Sequence, residues 1–266
     1  MRFYLKNPLT QSVLFRNPVS RVRDSFSSSA YALGLFLASA KKSGDLRLPP
    51  VRSVFYRQIY FTGIEALGKL AAIGALIGIV VTIGITRVAG ADASLAAKAL
   101  VWTGIKEIGP LFAAFIVIAR SCAAVAAELG SMRVNGEVDS LLVMGIDPVG
   151  YLITPRLAGI TLSVFILVFY FQVFSVAGGL ALASLFAGVP FYQYLIKAYE
   201  MIGLGDIGIS LLKGLAFGAI ISTVSCYRGF RVKGSAAEVP KATTAAVMQS
   251  IFLVLMADAA IAIMLK

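Results

Sequence analysis

Four ionisable side chains interrupt long apolar stretches of the sequence: Lys106, Glu107, Lys213 and Asp258. A charge inside a bilayer is costly, so each of these residues is a candidate for a functional role. Counted from the outer ends of their stretches at about 1.5 Å per residue, all four lie about 10 Å deep. They could form one polar layer that contacts a lipid headgroup or gates a cavity. The alternative is mutual neutralisation, Lys213 by Asp258 and Lys106 by a neighbouring acid, which would only make burial tolerable.

Other reactive residue types are scarce. The sequence contains no histidine and only two cysteines, Cys122 and Cys226. The lack of histidine excludes His-based acid/base catalysis, Ser-His or Cys-His nucleophiles and His-ligated metals. Two cysteines are too few for a disulfide framework or a thiolate zinc site, and we interpret both as small hydrophobic residues. We therefore expect neither a catalytic residue nor a metal site in this chain.

The sequence also lacks a recognisable nucleotide-binding or hydrolase motif. Residues 203–208 match the pattern G-x-G-x-x-G, but that pattern needs a preceding strand and a βαβ unit, and neither is predicted here. The sequence has no G-x-x-x-x-G-K-[ST] phosphate loop and no G-x-S-x-G nucleophile elbow. Energy for any transport must therefore come from a partner.

The elements that position these side chains are predicted to be membrane helices. Hydrophobic residues make up 59% of the chain and charged residues 14%, against about 25% charged in an ordinary soluble domain. A membrane span needs roughly 20 apolar residues. Its backbone N–H and C=O groups must hydrogen-bond to one another within the segment, so it is a helix. Five stretches qualify, at about 67–85, 99–127, 157–187, 207–227 and 245–265. The predicted fold class is an all-α membrane protein with five transmembrane helices.

The third stretch is ambiguous, because the charge-free residues 157–196 could also form a tight hairpin of two spans. A hairpin would move the basic residues of 228–241 to the outer side, against the positive-inside rule. Five spans instead place most lysines and arginines on the cytoplasmic side. We therefore expect Gly188 and Pro190 to end span three, with the N-terminus cytoplasmic and the C-terminus periplasmic.

Residues 1–60 are predicted to lie on the membrane surface, ahead of a five-span domain at 61–266. The net charge of +11 suits anionic headgroups. Nucleic acid is disfavoured as a partner, because no basic stripe interleaved with aromatic residues occurs outside the membrane-flanking segments. After Pro49-Pro50 an amphipathic helix is expected at the interface. Its apolar face comprises Val51, Val54, Phe55, Ile59 and Thr62.

Two kinds of residue inside the spans have structural interpretations. Lys69 and Arg120 lie near the predicted inner ends of their spans, where long side chains can extend to the headgroups. Small residues one turn apart favour close helix packing. Such pairs occur at Gly74 and Gly78, and at Gly214 and Gly218.

The cytoplasmic segment from Glu128 to Asp147 has a helical pattern. Arg133 and Glu137 are one turn apart, and Gly145 with Asp147-Pro148 ends the run. The apolar face consists of Val138, Leu141 and Leu142. A short amphipathic helix of this kind could dock into a groove of a partner. Alternatively, it packs on its own bundle.

A set of short motifs extends over most of the chain after about residue 57. The specific motifs lie between residues 106 and 148: Lys106-Glu-Ile-Gly-Pro110, Ala119-Arg120, Ala127-Glu-Leu-Gly-Ser-Met-Arg133 and Met144-Gly-Ile-Asp-Pro148. The weaker ones are Arg57-Gln-Ile-Tyr60 with Gly63, Pro155-Arg156, Lys213 with Phe217-Gly218, Cys226-Tyr-Arg-Gly229 and Ala242-Thr-Thr244. Together they resemble the MlaE (YrbE-like) permease family of ABC lipid transporters. The first 50 residues take no part in the resemblance.

The resemblance implies a homodimeric permease in the bacterial inner membrane that moves phospholipid or a related lipid in envelope lipid homeostasis. It implies cytoplasmic ATP-binding subunits that bind ATP and Mg, an MCE-domain protein on the outer side and a small accessory protein on the ATPase. The chain itself would need no cofactor and would not be an enzyme.

The resemblance also implies roles for individual residues. Lys106 and Glu107 would lie near the lipid path, and residues 131–148 would contain the helix that couples to the ATPase. The expected coupling residues are Arg133, Glu137, Leu141, Met144, Asp147 and Pro148. This chain departs from the family pattern in two places: it has Gly136-Glu137 where the family usually has Glu-Gln, and Cys122 replaces a small residue.

Two other classes of protein compete with this interpretation. An ion-coupled secondary carrier would use Lys106, Glu107, Lys213 and Asp258 as a relay, and it would show inverted repeats, which we do not see. A membrane scaffold without transport would use the same four residues for assembly alone.

Overall fold

The computed structural model describes residues 49–89, 101–186, 192, 196, 200, 203–232 and 234–264. Some predicted features lie outside these ranges. They are residues 1–48 of the basic N-terminal segment, the first residues of the predicted second span, both Gly188 and Pro190, and the C-terminal Lys266.

Every regular element in the described ranges is a helix, and several α-helices are joined by short π-helical turns. The α-helices are α1 (Pro49–Ile59), α2 (Glu65–Ala89), α3 (Gly109–Val117), α4 (Ala123–Val134), α5 (Glu137–Val143), α6 (Thr154–Phe186), α7 (Leu204–Phe230) and α8 (Glu238–Met264). The π-helical segments are π1 (Tyr60–Ile64), π2 (Val101–Ile108), π3 (Ile118–Cys122) and π4 (Val149–Ile153).

Five helical segments within the described residues are long and apolar enough to cross a membrane, which confirms the predicted count. They cover Pro49–Gly84, Lys106–Val134, Val149–Gly179, Gly205–Phe230 and Glu238–Met264. Span three is one continuous helix through Phe186, so the single-span interpretation of this stretch is correct as far as the structure describes it.

The first segment begins with Pro49-Pro50, since proline fits the first turn of a helix, where an N–H has no partner. Helix α1 packs on α6. Its buried residues are Val51, from the face predicted to be apolar, and Gln58, from outside that face, while Arg52, Tyr56 and Arg57 are exposed. No loop separates this helix from the first span, because π1 joins α1 directly to α2.

Helix α6 is the centre of the bundle and packs against α1, α2, α3 and α7. Its buried apolar side chains form a column along the helix. They include Ile160, Val164, Leu167, Val168 and Phe171. Helix α7 also packs on α4 and α8, so the remaining spans are arranged around these two helices.

Glycines allow the closest of these approaches, as the small-residue pairs predicted. A Cβ on Gly78 would overlap the backbone carbonyl of Ser175 on α6, and one on Gly74 would lie 3.1 Å from the carbonyl oxygen of Phe171. On the other side of α6, a Cβ on Gly218 would lie 2.8 Å from the Cα of Thr161. Both glycine pairs therefore bring their helices into backbone contact with α6.

Candidate functional site

The Lys213 side chain is the centre of a charged cluster that joins spans two, four and five. Its Nζ lies 2.9 Å from Glu107 Oε2, 2.8 Å from Asp258 Oδ1 and 3.2 Å from the backbone oxygen of Lys106. A lysine ammonium has three N–H donors, so three oxygens suffice to surround it. Lys213 is 1% exposed, and two carboxylates around one buried ammonium leave this group of three with a net negative charge.

One of these contacts is to the backbone. The carbonyl oxygen of Lys106, which lies in the π-helical segment π2, accepts a hydrogen bond from Lys213 Nζ. The main chain of span two thus contributes an oxygen to a lysine of span four.

Lys106 forms a separate ion pair at the edge of this cluster. Its Nζ lies 2.9 Å from Asp206 Oδ1, and the two side chains are 33% and 24% exposed. The structure therefore brings Lys106, Glu107, Lys213 and Asp258 together and adds Asp206 to them. Asp206 is the neighbouring acid that the neutralisation alternative required.

Sequence reasoning missed Asp206 and a polar pair beside it. Asp206 is seven residues before Lys213, so both fall on one face of α7, and this spacing was an available signal. Gln172 of α6 donates a hydrogen bond to Ser210 of α7, one turn before Lys213, and both residues are buried. No spacing rule links Gln172 to Ser210, because they lie on different helices.

A second ion pair joins spans one and two. Arg120 in π3 pairs with Glu65 at the start of α2, and its guanidinium lies 4.7 Å from the centre of the Phe61 ring. Arg120 thus has a carboxylate partner on the neighbouring span, and its reach to the headgroups stays a prediction. Lys69 is exposed.

Contrary to its pattern, the loop between spans two and three is not one unbroken helix. Helix α4 ends at Val134, and Gly136 takes φ 75°, a left-handed conformation that favours glycine. Helix α5 then begins at Glu137, so Arg133 and Glu137 belong to different helices. Arg133 Nη1 instead lies 2.5 Å from Asp139 Oδ1.

Helix α5 is closed at its C-terminal end by Gly145, which has φ 74°. The Gly145 N–H donates to the Leu142 carbonyl and the Ile146 N–H to the Leu141 carbonyl, at 3.1 and 2.9 Å, which is a Schellman cap. Asp147 Oδ2 then accepts a hydrogen bond of 2.8 Å from the Gly150 N–H at the start of π4. The loop thus has a defined geometry at both ends.

The apolar residues of α5 divide between the bundle and solvent. Val138 is buried and Leu141 is half-buried, so part of the predicted face packs on its own bundle. Leu142, Val143 and Met144 are exposed, Val143 by 90%. We call these three residues the α5 tip. Among the other expected coupling residues, Glu137 is exposed and Pro148 is buried.

The charged cluster and the α5 tip lie at opposite ends of the second span. Span two covers 29 residues from Lys106 to Val134. At the rise of an α-helix this length corresponds to about 40 Å. A bundle of membrane-length helices with a cluster of paired charges at one end and an exposed loop helix at the other is a multi-pass membrane protein.

Comparison with known proteins identifies the family. A family model described as Permease MlaE matches residues 55–264, and the chain belongs to this family. A "Probable ABC transporter permease protein" of Rickettsia conorii is 31% identical over 246 residues, which cover 91% of this chain and 94% of that protein. Another protein of that name, from Rickettsia typhi, is 32% identical over 232 residues, covering 86% and 88% of the two chains.

A chloroplast protein of Arabidopsis thaliana named trigalactosyldiacylglycerol 1 is 31% identical over 211 residues. The match covers 76% of this chain and 58% of the Arabidopsis protein. Together with the family match, these relatives make the chain a permease subunit of the ABC transporter type, a class that works with an ATP-binding partner.

Proposed function

We propose that this chain is the membrane subunit of an ATP-driven transporter that moves phospholipid or a related lipid between the inner membrane and an MCE-domain partner. Such transport would contribute to envelope lipid homeostasis. The observation that carries the proposal is the α5 tip: three consecutive apolar residues exposed on a capped loop helix, in a chain without a phosphate-loop motif. Consecutive exposed apolar residues on a rigid loop are suited to burial in the groove of a partner.

The α5 tip is the proposed docking point for the cytoplasmic ATP-binding subunit. Met144 belongs to the tip, whereas Leu141 and Pro148 hold the helix against the bundle. Arg133, Glu137 and Asp147 supply the polar rim and the caps that fix its orientation. The partner would bind ATP with Mg, whose hydrolysis supplies the free energy.

The charged cluster is the proposed polar layer beside the lipid path. Lys106 and Glu107 have side chains that are 33% and 37% exposed, so they can meet a headgroup. Lys213 is buried and Asp258 is largely so, and we assign them the positioning of Glu107. The name of the Arabidopsis relative is that of a diacylglycerol lipid, which supports a lipid as the substrate class.

The proposed assembly is a homodimer of this chain in the bacterial inner membrane. It would carry ATP-binding subunits and a small accessory protein on the cytoplasmic side and the MCE-domain protein on the periplasmic side. The distribution of lysine and arginine supports a cytoplasmic N-terminus and a periplasmic C-terminus. Residues 1–60 would lie against anionic headgroups of the inner leaflet.

Affinity purification tests the docking proposal. Val143→Asp places a charge on the most exposed residue of the α5 tip, and we expect at least about a ten-fold loss of co-purified ATP-binding subunit, because an interface anchor is worth about 2 kcal/mol. The matched control is Ala237→Asp, which adds the same charge at an exposed position of the loop between α7 and α8. The chain would be co-expressed with its neighbouring genes and purified in mild detergent.

Three outcomes separate the possibilities. Loss of the subunit from the Val143→Asp variant but not from the Ala237→Asp variant supports docking at the tip. Retention of the subunit by both variants removes the tip from the interface. If the unaltered chain brings down no ATP-binding subunit, the ABC interpretation loses its main support.

A further inference from the structure

We infer that Glu128 and Arg156 form a strut that passes movement of the loop helix α5 to span three. This inference rests on the proposed function, because it assumes that a partner moves α5. Neither residue belongs to the charged cluster or to the α5 tip, and both act through other groups, so they are positioning residues.

The contact itself is well defined. Arg156 lies in the first turn of α6 and is 4% exposed, and its Nη2 is 2.9 Å from Oε1 of Glu128 on α4. Its Nη1 also lies 3.4 Å from the Leu152 carbonyl oxygen in π4. The guanidinium therefore joins the end of span two to the beginning of span three.

The position of the pair in the chain allows it to transmit movement. Helix α4 leads into α5 and α6 follows it, so Glu128 and Arg156 lie on the two arms that hold the loop helix. At the first arm, Arg133 pairs with Asp139, and at the second, Asp147 caps the backbone at Gly150. The Glu128–Arg156 pair links the two arms to each other, so a force on α5 moves both arms together.

Burial distinguishes this pair from the other pair of the loop. Arg133 and Asp139 have side chains that are 35% and 65% exposed. Exposed ion pairs of this kind contribute little and are screened by salt. The Arg156 side chain is 5% exposed, although that of Glu128 is 50% exposed, and loss of the partner of a buried charge strongly destabilises a protein. The Glu128–Arg156 pair is therefore expected to persist while α5 moves, as a strut must.

The competing explanation is that Glu128 merely neutralises a buried arginine. Both explanations predict lower thermal stability when Glu128 is changed. Only the strut predicts a change in the number of lipids moved per ATP hydrolysed, because neutralisation has no part in transmission. This ratio is the informative measurement.

The experiment uses the whole complex, reconstituted in vesicles of phosphatidylethanolamine and phosphatidylglycerol that contain fluorescent phosphatidylethanolamine as the probe. ATP hydrolysis and lipid transfer are measured on the same samples for the unaltered chain and for Glu128→Gln. The matched control is Glu65→Gln, since Glu65 is also an exposed carboxylate paired with an arginine of another span but lies outside the loop.

For Glu128→Gln we expect the lipid transferred per ATP to fall by about five-fold or more, the low end of typical coupling between two sites. Glu65→Gln should leave this ratio unchanged. An exchanged pair, Glu128→Arg with Arg156→Glu, should restore the ratio, because the link between the arms is restored. If Glu128→Gln does not assemble, Glu128→Asp, which shortens the reach by one methylene, replaces it.

The strut is disproved if the variant that assembles transfers the same amount of lipid per ATP as the unaltered chain. It is also disproved if the exchanged pair regains thermal stability but not the ratio. Failure of the unaltered complex to transfer lipid with ATP would instead overturn the proposed function, so the two failures are distinguishable.

Discussion

Lys213 shows how single residues determine the charged cluster. Its ammonium is buried against Glu107, Asp258 and the backbone carbonyl of Lys106. Each of these groups is costly to bury by itself, and together they satisfy one another. The cluster consequently ties spans two, four and five, whatever its further part in lipid movement.

Removing the Lys213 charge should destabilise the bundle more than removing the Lys106 charge. Lys213→Met leaves two carboxylates without their cation, and breaking a buried pair costs about 3–5 kcal/mol. Lys106→Gln breaks a partly exposed pair with Asp206. For this change we expect a loss of less than about 1 kcal/mol. Thermal unfolding in detergent measures both variants, and equal melting temperatures would contradict the assigned difference.

A double-mutant cycle tests the coupling inside the cluster. Lys213→Met combined with Asp258→Asn should lose less stability than the sum of the two single changes, because the second change removes a partner that the first has already orphaned. Strict additivity would mean that the two side chains do not interact in the folded protein.

Residue-level prediction of the site reached its members and one of its pairs, Lys213 with Asp258, but not the other contacts. The cost of charge in a bilayer identified Lys106, Glu107, Lys213 and Asp258 without any structure. Two further contacts, that of Glu107 with Lys213 and that of Asp206 with Lys106, were not predicted. They depend on how the helices are rotated against one another, and a single sequence does not reveal this rotation. The same limit applies to Arg120, whose partner Glu65 lies in another span.

At the scale of elements, close packing against α6 depends on glycine. Gly78 and Gly84 lie on the same helix, α2, but in opposite surroundings: Gly78 meets the backbone of α6, whereas a Cβ on Gly84 would meet no atom within 4 Å. The two positions differ in packing, but both have the low helix propensity of glycine. They can therefore be compared directly.

Gly78→Ala should lower the free energy of unfolding by about 2 kcal/mol, because the added methyl overpacks the interface between α2 and α6. Gly84→Ala should be neutral or stabilising by up to about 1 kcal/mol, since alanine is the better helix former. Thermal unfolding of the two variants, measured side by side, provides the check. A Gly78→Ala variant as stable as Gly84→Ala would contradict the close approach.

The loop helix shows where periodicity is misleading. Apolar spacing predicted a helical pattern from Glu128 to Asp147, and helices do form there. The helix nevertheless breaks at Gly136, because glycine readily takes the left-handed conformation found there. The ending near Gly145 was predicted correctly, because a glycine followed by Asp-Pro stops a helix.

At the scale of the whole molecule, hydropathy and charge together predicted five helical spans and resolved the long third stretch into one. These predictions succeeded because they depend on the thickness of the bilayer and on the need for internal backbone hydrogen bonds. Both requirements apply to each apolar stretch independently of its neighbours. Exposed apolar side chains remain on the outer faces of several spans. They include Leu76 and Val80 on α2, Phe169 on α6 and Phe252 on α8. Such faces suit contact with lipid or with a second copy of the chain.

The central claim is that this chain transports lipid only with work supplied by an ATP-binding partner. The most direct measurement is transfer of fluorescent phosphatidylethanolamine out of vesicles containing the purified complex, with ATP, without ATP, and with an ion gradient alone. We predict transfer with ATP that stops when the ATP-binding subunit is removed and that is unaffected by collapse of the gradient. Transfer that continues without ATP and stops when the gradient collapses would contradict the claim and indicate an ion-coupled carrier.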